Sequence, residues 1–179
     1  MNDSYAINPW LVFSVTAMGT FMATLDSSIV NVALPEITSK LGTDISVTQW
    51  VVTAYLLVIS SLLPVFGRAG DMYGQRRLYT TGVSVFTMAS VLCGYSGSIW
   101  MLVISRIVQA AGASMMMANG PAIIVLTFKP HERGRALGSM GTVVAMGSVV
   151  GPALGGLLVG YFGWGSIFLL NIPVGIACF

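Results

Sequence analysis

Long apolar runs, separated by short polar or glycine-rich breaks, make up most of the chain from Trp10 onward. The runs are much longer than the roughly 9 to 11 residues of a membrane β-strand and do not alternate with period two, so they predict helices. Most are close to the roughly 20 residues that cross a bilayer. Six spans are predicted: Trp10–Leu34, Val47–Phe66, Leu78–Tyr95, Ile99–Leu126, Ala136–Phe162 and Trp164–Phe179.

Composition supports an all-α membrane protein, with residues 1–179 forming one six-helix bundle. Of the 179 residues, 55% are hydrophobic and only 8% charged, whereas a soluble domain carries about 25% charged residues. The net charge of +2 is too small and too scattered for nucleic-acid binding. Cys93 and Cys178 lack metal-binding spacing and are predicted to be packing residues. We expect an integral protein of the bacterial inner membrane.

Basic residues predict the orientation of the bundle. The connections after spans two and four hold six of the eight basic residues: Arg68, Arg76, Arg77, Lys129, Arg133 and Arg135. Basic loops stay in the cytoplasm, so the N-terminus is predicted to be cytoplasmic. The segment MNDSYAINP has no basic signal-peptide region, which predicts that span one remains as an uncleaved anchor.

The sixth span is shorter than the others. Its 16 residues reach about 24 Å as a helix, less than a hydrocarbon core about 30 Å thick. We expect that the sequence is cut within or just before the end of helix six; a tilted end or a locally thinned bilayer is the alternative.

Asp26 and Arg106 are charged residues inside predicted spans, where each costs about 2.5 to 3.5 kcal/mol on insertion scales. Asp26 lies eight residues before Leu34, and Arg106 lies seven after Ile99. Both are therefore roughly 11 to 12 Å below the outer boundary and are predicted to be able to meet. A proton and a cationic substrate would then compete for Asp26; a buried pair that only fixes packing is the alternative.

The surroundings of Asp26 suggest an apolar pocket. Met18, Met22, Asp26 and Ile29 share one face of helix one, and polarizable Met suits bulky apolar cations, although ordinary packing also explains it. Gln109, one turn beyond Arg106, is predicted to orient its guanidinium or to make a plain interhelical hydrogen bond.

Two glycine-rich segments follow. In GSVVGPALGG of span five, small residues form a groove that another helix can approach, and Pro152 bends the helix; these residues are Gly147, Gly151, Pro152, Gly155 and Gly156. In GRAGDMYGQRRL, residues 67–78, Gly67, Gly70 and Gly74 are predicted to allow a tight reversal. Neither segment is a nucleotide loop.

No catalytic constellation is evident in the sequence. His131 lies in a charged loop and is predicted to be solvated. We expect no enzyme activity, no metal and no cofactor, so any transport would be driven by a gradient.

These motifs occur in the order found in one family. The chain resembles the N-terminal half of a major facilitator superfamily transporter, of the drug:proton antiporter branch usually built with fourteen spans. The resemblance covers nearly the whole chain and rests on LDSSIVNVALP (25–35), GRAGDMYGQRR (67–77), RIVQAAGA (106–113), GSVVGPALGG (147–156) and WGSIFLLNIPVG (164–175).

The resemblance implies a fold and residue roles. The fold would be two inverted three-helix repeats, with Asp26 and Arg106 in a central cavity. Gly151, Pro152 and Gly155 would shape the contact between the two halves. A cytoplasmic latch would include Gly67, Asp71, Gly74, Arg76 and Arg77. The chain departs from the family motifs at Ala69, Gln75 and Ala110. The first two departures would weaken the latch, and the third would loosen helix packing slightly.

The leading hypothesis is half of a proton-coupled exporter of lipophilic, often cationic compounds, not competent alone. Its expected partners are protons, those compounds, membrane lipids, and a C-terminal half or a second copy. The alternative is a non-transporting bundle that self-associates or pairs with a separate half.

Overall fold

A computed structural model describes residues 8–178. Eight helical segments in this part of the chain form six rods. The segments are α1 (Pro9–Leu41), α2 (Ile45–Thr48), α3 (Trp50–Tyr73), α4 (Gln75–Gly94), α5 (Ile99–Thr127), α6 (Pro130–Phe162), α7 (Ser166–Leu169) and α8 (Asn171–Ala177). Segments α2 and α3 together form the second rod, and α7 and α8 form the sixth. Each predicted span corresponds to one rod. Phe179 and the first seven residues of the segment MNDSYAINP lie outside the described residues.

Helix α1 continues past its predicted end at Leu34. It begins at Pro9, where the side chain of Asn8 accepts a hydrogen bond from Trp10 N at 3.0 Å, and it ends at Gly42, whose φ is 59°. Pro35 lies inside the helix. A proline removes one backbone donor, which a long helix supported by neighbours tolerates. The boundary prediction was therefore wrong by about two turns.

The reversal between α3 and α4 uses one residue. Gly74 has φ 97°, a backbone angle that residues with a Cβ rarely adopt. Gly67 and Gly70, which were expected in a loop, lie within α3. Gly70 instead permits a close approach, because a Cβ there would lie 1.8 Å from Asn119 Oδ1.

The sixth rod is interrupted near its middle. Helix α7 ends at Leu169 and α8 begins at Asn171, although Leu170 keeps right-handed helical angles. Pro173 has no N–H to offer the Leu169 carbonyl four residues earlier, which accounts for the interruption.

Among the described residues, four helices are long and apolar enough to cross a membrane: Pro9–Leu41, Ile45–Tyr73, Ile99–Thr127 and Pro130–Phe162. Helix α4 is less apolar because two arginines open it and hydroxyl side chains recur along it. The rod Ser166–Ala177 is apolar but short.

Glycines set the closest helix contacts. Helix α5 packs mainly on α4 and α3, and α6 packs mainly on α1. The groove predicted on span five is occupied by α1: a Cβ at Gly147, Gly151 or Gly155 would come within 2.8 Å or less of Thr24, Ser28 or Ile29. These glycines therefore make a close contact within the chain, and the expected role of Gly151, Pro152 and Gly155 at a contact between two halves stays a prediction. Pro152 and Gly156 are exposed.

The α4–α5 contact predicts a site-specific cost of adding one methyl group. A Cβ at Gly112 would lie 2.6 Å from Phe86 N and 2.8 Å from Gly82 O, both backbone atoms that cannot move cheaply. We expect Gly112→Ala to lower the free energy of unfolding by about 1 to 3 kcal/mol, measured by denaturant unfolding in detergent. The matched control is Gly141→Ala, which meets nothing within 4 Å and should be neutral or slightly stabilising. Equal stability of the two variants would contradict this packing.

Candidate functional site

Asp26 and Arg106 form a fully buried ion pair. Asp26 on α1 and Arg106 on α5 each have 0% exposure, and Arg106 Nη1 donates to Asp26 Oδ2. The prediction that the two residues meet, made from their equal depth, is confirmed. Among the described residues this is the one ion pair, and the other charged side chains lie at helix ends or in connections.

Gln109 braces both members of the pair. Its Oε1 accepts from Arg106 Nη1 at 2.6 Å, and its Nε2 donates to Asp26 Oδ1 at 3.0 Å. The prediction that Gln109 orients the guanidinium is confirmed in geometry. Cys93, predicted as a packing residue, is buried and its Sγ donates to the same Oε1 at 3.6 Å.

Two aromatic rings and a backbone carbonyl hold the rest of the guanidinium. Its Cζ lies 3.7 Å from the ring centroid of Tyr55 and 5.6 Å from that of Phe168. Arg106 Nε donates to Val51 O at 3.3 Å. Stacking on an aromatic face stabilises a cation that water cannot reach. Nη2 is buried and has no hydrogen-bond partner in residues 8–178.

Ser90 on α4 and Asn171 on α8 complete the cluster. Asn171 Nδ2 donates to Asp26 Oδ1 at 2.8 Å and to Ser90 Oγ at 3.3 Å, and Gln109 Nε2 donates to Ser90 Oγ at 2.7 Å. The sequence reading did not single out Tyr55, Ser90, Phe168 or Asn171. The signal available was an amide inside an apolar span, since such groups seek partners on other helices.

The cluster is electrically neutral, but its parts depend on one another. A buried charge without a partner is far more costly than a buried pair. An arginine guanidinium does not lose its proton in a protein. Among the described residues Asp26 supplies the one carboxylate that balances this fixed charge.

A small cavity borders the cluster. It measures about 150 Å³ and is lined by Phe21, Met22, Leu25, Leu154, Leu170, Asn171 and Val174. Met22, at 1% exposure, lies on its wall as the shared face predicted. Met18 does not: it is 37% exposed and lines a separate groove with Met146. Residues 18 and 22 are one turn apart, and the two cavities that they line share only Phe21 and Val174.

The residues expected in the latch lie at one end of the bundle, at the α3–α4 reversal. Gly67 and Asp71 lie in α3, Gly74 forms the turn, and Arg76 and Arg77 open α4. Gln75 Nε2 donates to Asp71 Oδ1 at 3.3 Å. Their role as a latch stays a prediction.

The same end carries Lys129, Arg133 and Arg135, whereas Lys40 lies in the last turn of α1 at the opposite end. Trp10 packs on Phe128 with ring centroids 5.3 Å apart, and the guanidinium of Arg135 lies 5.9 Å from the Trp10 ring. His131 is exposed as expected. Within the described residues no group of three or more His, Cys, Asp or Glu side chains is placed to hold a metal ion.

A bundle of apolar helices built around one internal charge pair has the architecture of a membrane transporter domain. The family model described as Major Facilitator Superfamily matches residues 16–179, and the chain belongs to this family. The chain is therefore an integral membrane protein of a transporter family, not an enzyme.

Relatives and solved structures agree with this assignment. The chain is 46% identical to the riboflavin transporter RibZ of Clostridioides difficile, over 93% of this chain and 37% of that protein. It is 38% identical to the methylenomycin A resistance protein of Bacillus subtilis, over 93% and 36%. The inward-open xylose transporter XylE from E. coli superposes with a TM-score of 0.83, 13% identity and coverage of 96% and 47%.

Two conclusions follow from these comparisons. The six-helix fold expected for an N-terminal bundle of this family is confirmed. The chain spans about a third of the length of the curated relatives it matches.

The ion pair predicts strongly non-additive effects on stability. Arg106→Gln leaves the buried Asp26 carboxylate without its cation and should lower the free energy of unfolding by about 3 to 5 kcal/mol at neutral pH. The double variant Asp26→Asn/Arg106→Gln removes both charges and should recover most of this loss. Denaturant unfolding of the single and double variants in detergent measures the coupling; additive losses would contradict a charge pair.

Proposed function

We propose that this chain forms the N-terminal half of a proton-coupled exporter that exchanges lipophilic, often cationic compounds for protons. The observation that carries the proposal is the fully buried Asp26 carboxylate, paired with Arg106. Such a carboxylate is the one group in the cluster that can accept either a proton or the attraction of a cation.

The exchange follows from competition for one charge. When Asp26 is ionised, it attracts a cation; when it is protonated, that attraction is lost. Arg106 stays charged throughout. One carboxylate does not hold a proton and a cation together, so binding of one expels the other.

Several features support this proposal. The clustered arginines and lysines at one end favour a cytoplasmic location for that end and for the N-terminus. In this fold the substrate site lies between two bundles that rock against each other. A C-terminal half, or a second copy of this bundle, is therefore the proposed partner within the lipid bilayer, with the latch residues Asp71 and Arg77 facing it.

The names of the relatives favour a small organic compound as the substrate. The Bacillus protein is named for resistance to methylenomycin A, and a Streptomyces coelicolor relative is named a probable actinorhodin transporter. The 46% identity to a riboflavin transporter favours a second candidate, in which the substrate is a planar flavin.

Binding of tetraphenylphosphonium, a lipophilic cation, tests the proposal. We expect Asp26→Asn to weaken binding at least about tenfold, the equivalent of 1.4 kcal/mol, because the attracting charge is gone. Asp26→Glu should retain binding, and acidification of the unchanged protein should weaken it. Equilibrium dialysis of the chain in lipid nanodiscs measures all three.

The matched control is Asp44→Asn, since Asp44 is an exposed carboxylate outside the cluster. It should leave the affinity unchanged. An affinity for tetraphenylphosphonium that is unchanged in both Asp26 variants would overturn the exporter proposal and favour a non-transporting assembly module. Saturable binding of riboflavin without tetraphenylphosphonium binding would favour the flavin candidate.

A further inference from the structure

Asn171 separates Asp26 from the cavity beside the cluster. Its amide nitrogen bonds to Asp26 Oδ1 and Ser90 Oγ, and its side chain also lines the cavity of about 150 Å³ between α1, α6 and α8. Every other residue on that wall is apolar. Asn171 is therefore the polar contact between the cavity and the ion pair.

Asp26 is surrounded by donors. Arg106 donates to Oδ2, and Gln109 and Asn171 both donate to Oδ1. This arrangement suits an ionised carboxylate, which only accepts hydrogen bonds. A protonated carboxyl group would bring an O–H into the cluster and would require an acceptor there.

Ser90 fixes which way the two amides point. Its hydroxyl donates to Phe86 O at 2.8 Å, so its oxygen offers only lone pairs to the cluster. Both Gln109 and Asn171 turn their NH₂ groups toward those lone pairs. Ser90 therefore holds both amides in the donor orientation that the carboxylate needs.

The two amides differ in what holds their oxygen atoms. Gln109 Oε1 accepts from Arg106 at 2.6 Å and from Cys93 at 3.6 Å, so turning it over would break the contact with the guanidinium. Both hydrogen bonds of the Asn171 side chain use its nitrogen. Within residues 8–178 its oxygen accepts none, and it is the acceptor available to a protonated Asp26.

We propose that Asn171 is a positioning residue that turns over its side-chain amide when Asp26 takes up a proton. The proton adds to the carboxylate and makes a neutral carboxyl group, whose O–H then donates to Asn171 Oδ1. The Asn171 NH₂ leaves Ser90 and points into the cavity. This inference rests on the proposed proton exchange. It adds that the orientation of a side chain on α8 depends on whether Asp26 is protonated.

The turned amide changes the chemistry of the cavity. Asn171 is the one polar residue in the cavity lining, and turning over its amide exchanges the positions of its oxygen and its NH₂ group beside the cavity. A cavity of about 150 Å³ has room for a few water molecules at roughly 30 Å³ each, or for one acceptor group of a bound compound. The proton state of Asp26 thereby selects what the cavity can bind.

Infrared spectroscopy of the chain in nanodiscs tests the proposal, with ¹³C label in the asparagine side chains. The carboxyl band of Asp26, identified by its loss in Asp26→Asn, gives the protonation midpoint. We expect one labelled amide band to shift with pH at that same midpoint. The band should disappear in Asn171→Gln, because this variant keeps an amide at position 171 but carries no label there.

Asn31→Gln is the matched control, since Asn31 is an exposed amide on α1 that donates to Ser27 O, and the pH-dependent band should persist in it. If Asp26 titrates while no Asn171 band follows it, the proposal is overturned and the proton exchange still stands. If Asp26 does not titrate at all, the exchange and this inference both fail.

Discussion

The buried pair of Asp26 and Arg106 is the constraint on which the rest of the bundle depends. Two charges removed from water are tolerable only when each is matched and hydrogen-bonded. All rods except the one formed by α6 contribute to that matching. Helix α1 gives the carboxylate, and α5 gives the guanidinium and Gln109. The other contacts come from Val51 and Tyr55 on α3, Ser90 on α4, Phe168 on α7 and Asn171 on α8. Moving any one of these rods breaks a contact to a buried charge or, for α4, a contact to the two amides that bond to Asp26. The pair therefore sets both the packing of the bundle and the chemistry in its interior.

Helix α6 has a different relation to the pair. It touches the cluster only across the small cavity, through Leu154, and it is joined to α1 by glycine contacts. Ser28 Oγ on α1 also donates to Gly147 O at 3.1 Å. Contacts between small residues allow close approach without the long interlocking side chains that fix a helix in register. Close contacts at glycines therefore hold α6 against α1. The ion pair and its hydrogen bonds hold together the helices that carry the cluster.

Much of this architecture was predictable from the sequence, because apolar run length reports membrane helices directly. The meeting of Asp26 and Arg106 was predictable as well, since two charges at equal depth inside apolar spans have few other partners. The end of α1 was not predictable: Pro35 and Glu36 are typical of a boundary, but contacts with neighbouring helices keep the segment helical to Leu41. Ser90 and Asn171 escaped notice because an uncharged polar residue in a span is common, and only the packing of α4 against α8 shows that both face Asp26. Met18 lines a different groove from Met22, because residues spaced by one turn share a face of a helix but not always a neighbour; its role in a substrate cavity stays a prediction.

The most direct test of the account is to count the protons released when a lipophilic cation binds. The chain in nanodiscs would be titrated with tetraphenylphosphonium in weak buffer while pH is recorded, at a pH where Asp26 is mostly protonated. Competition for one carboxylate predicts release of about one proton per cation bound, and none from Asp26→Asn. Cation binding to the unchanged protein with no proton release at any pH would contradict the account.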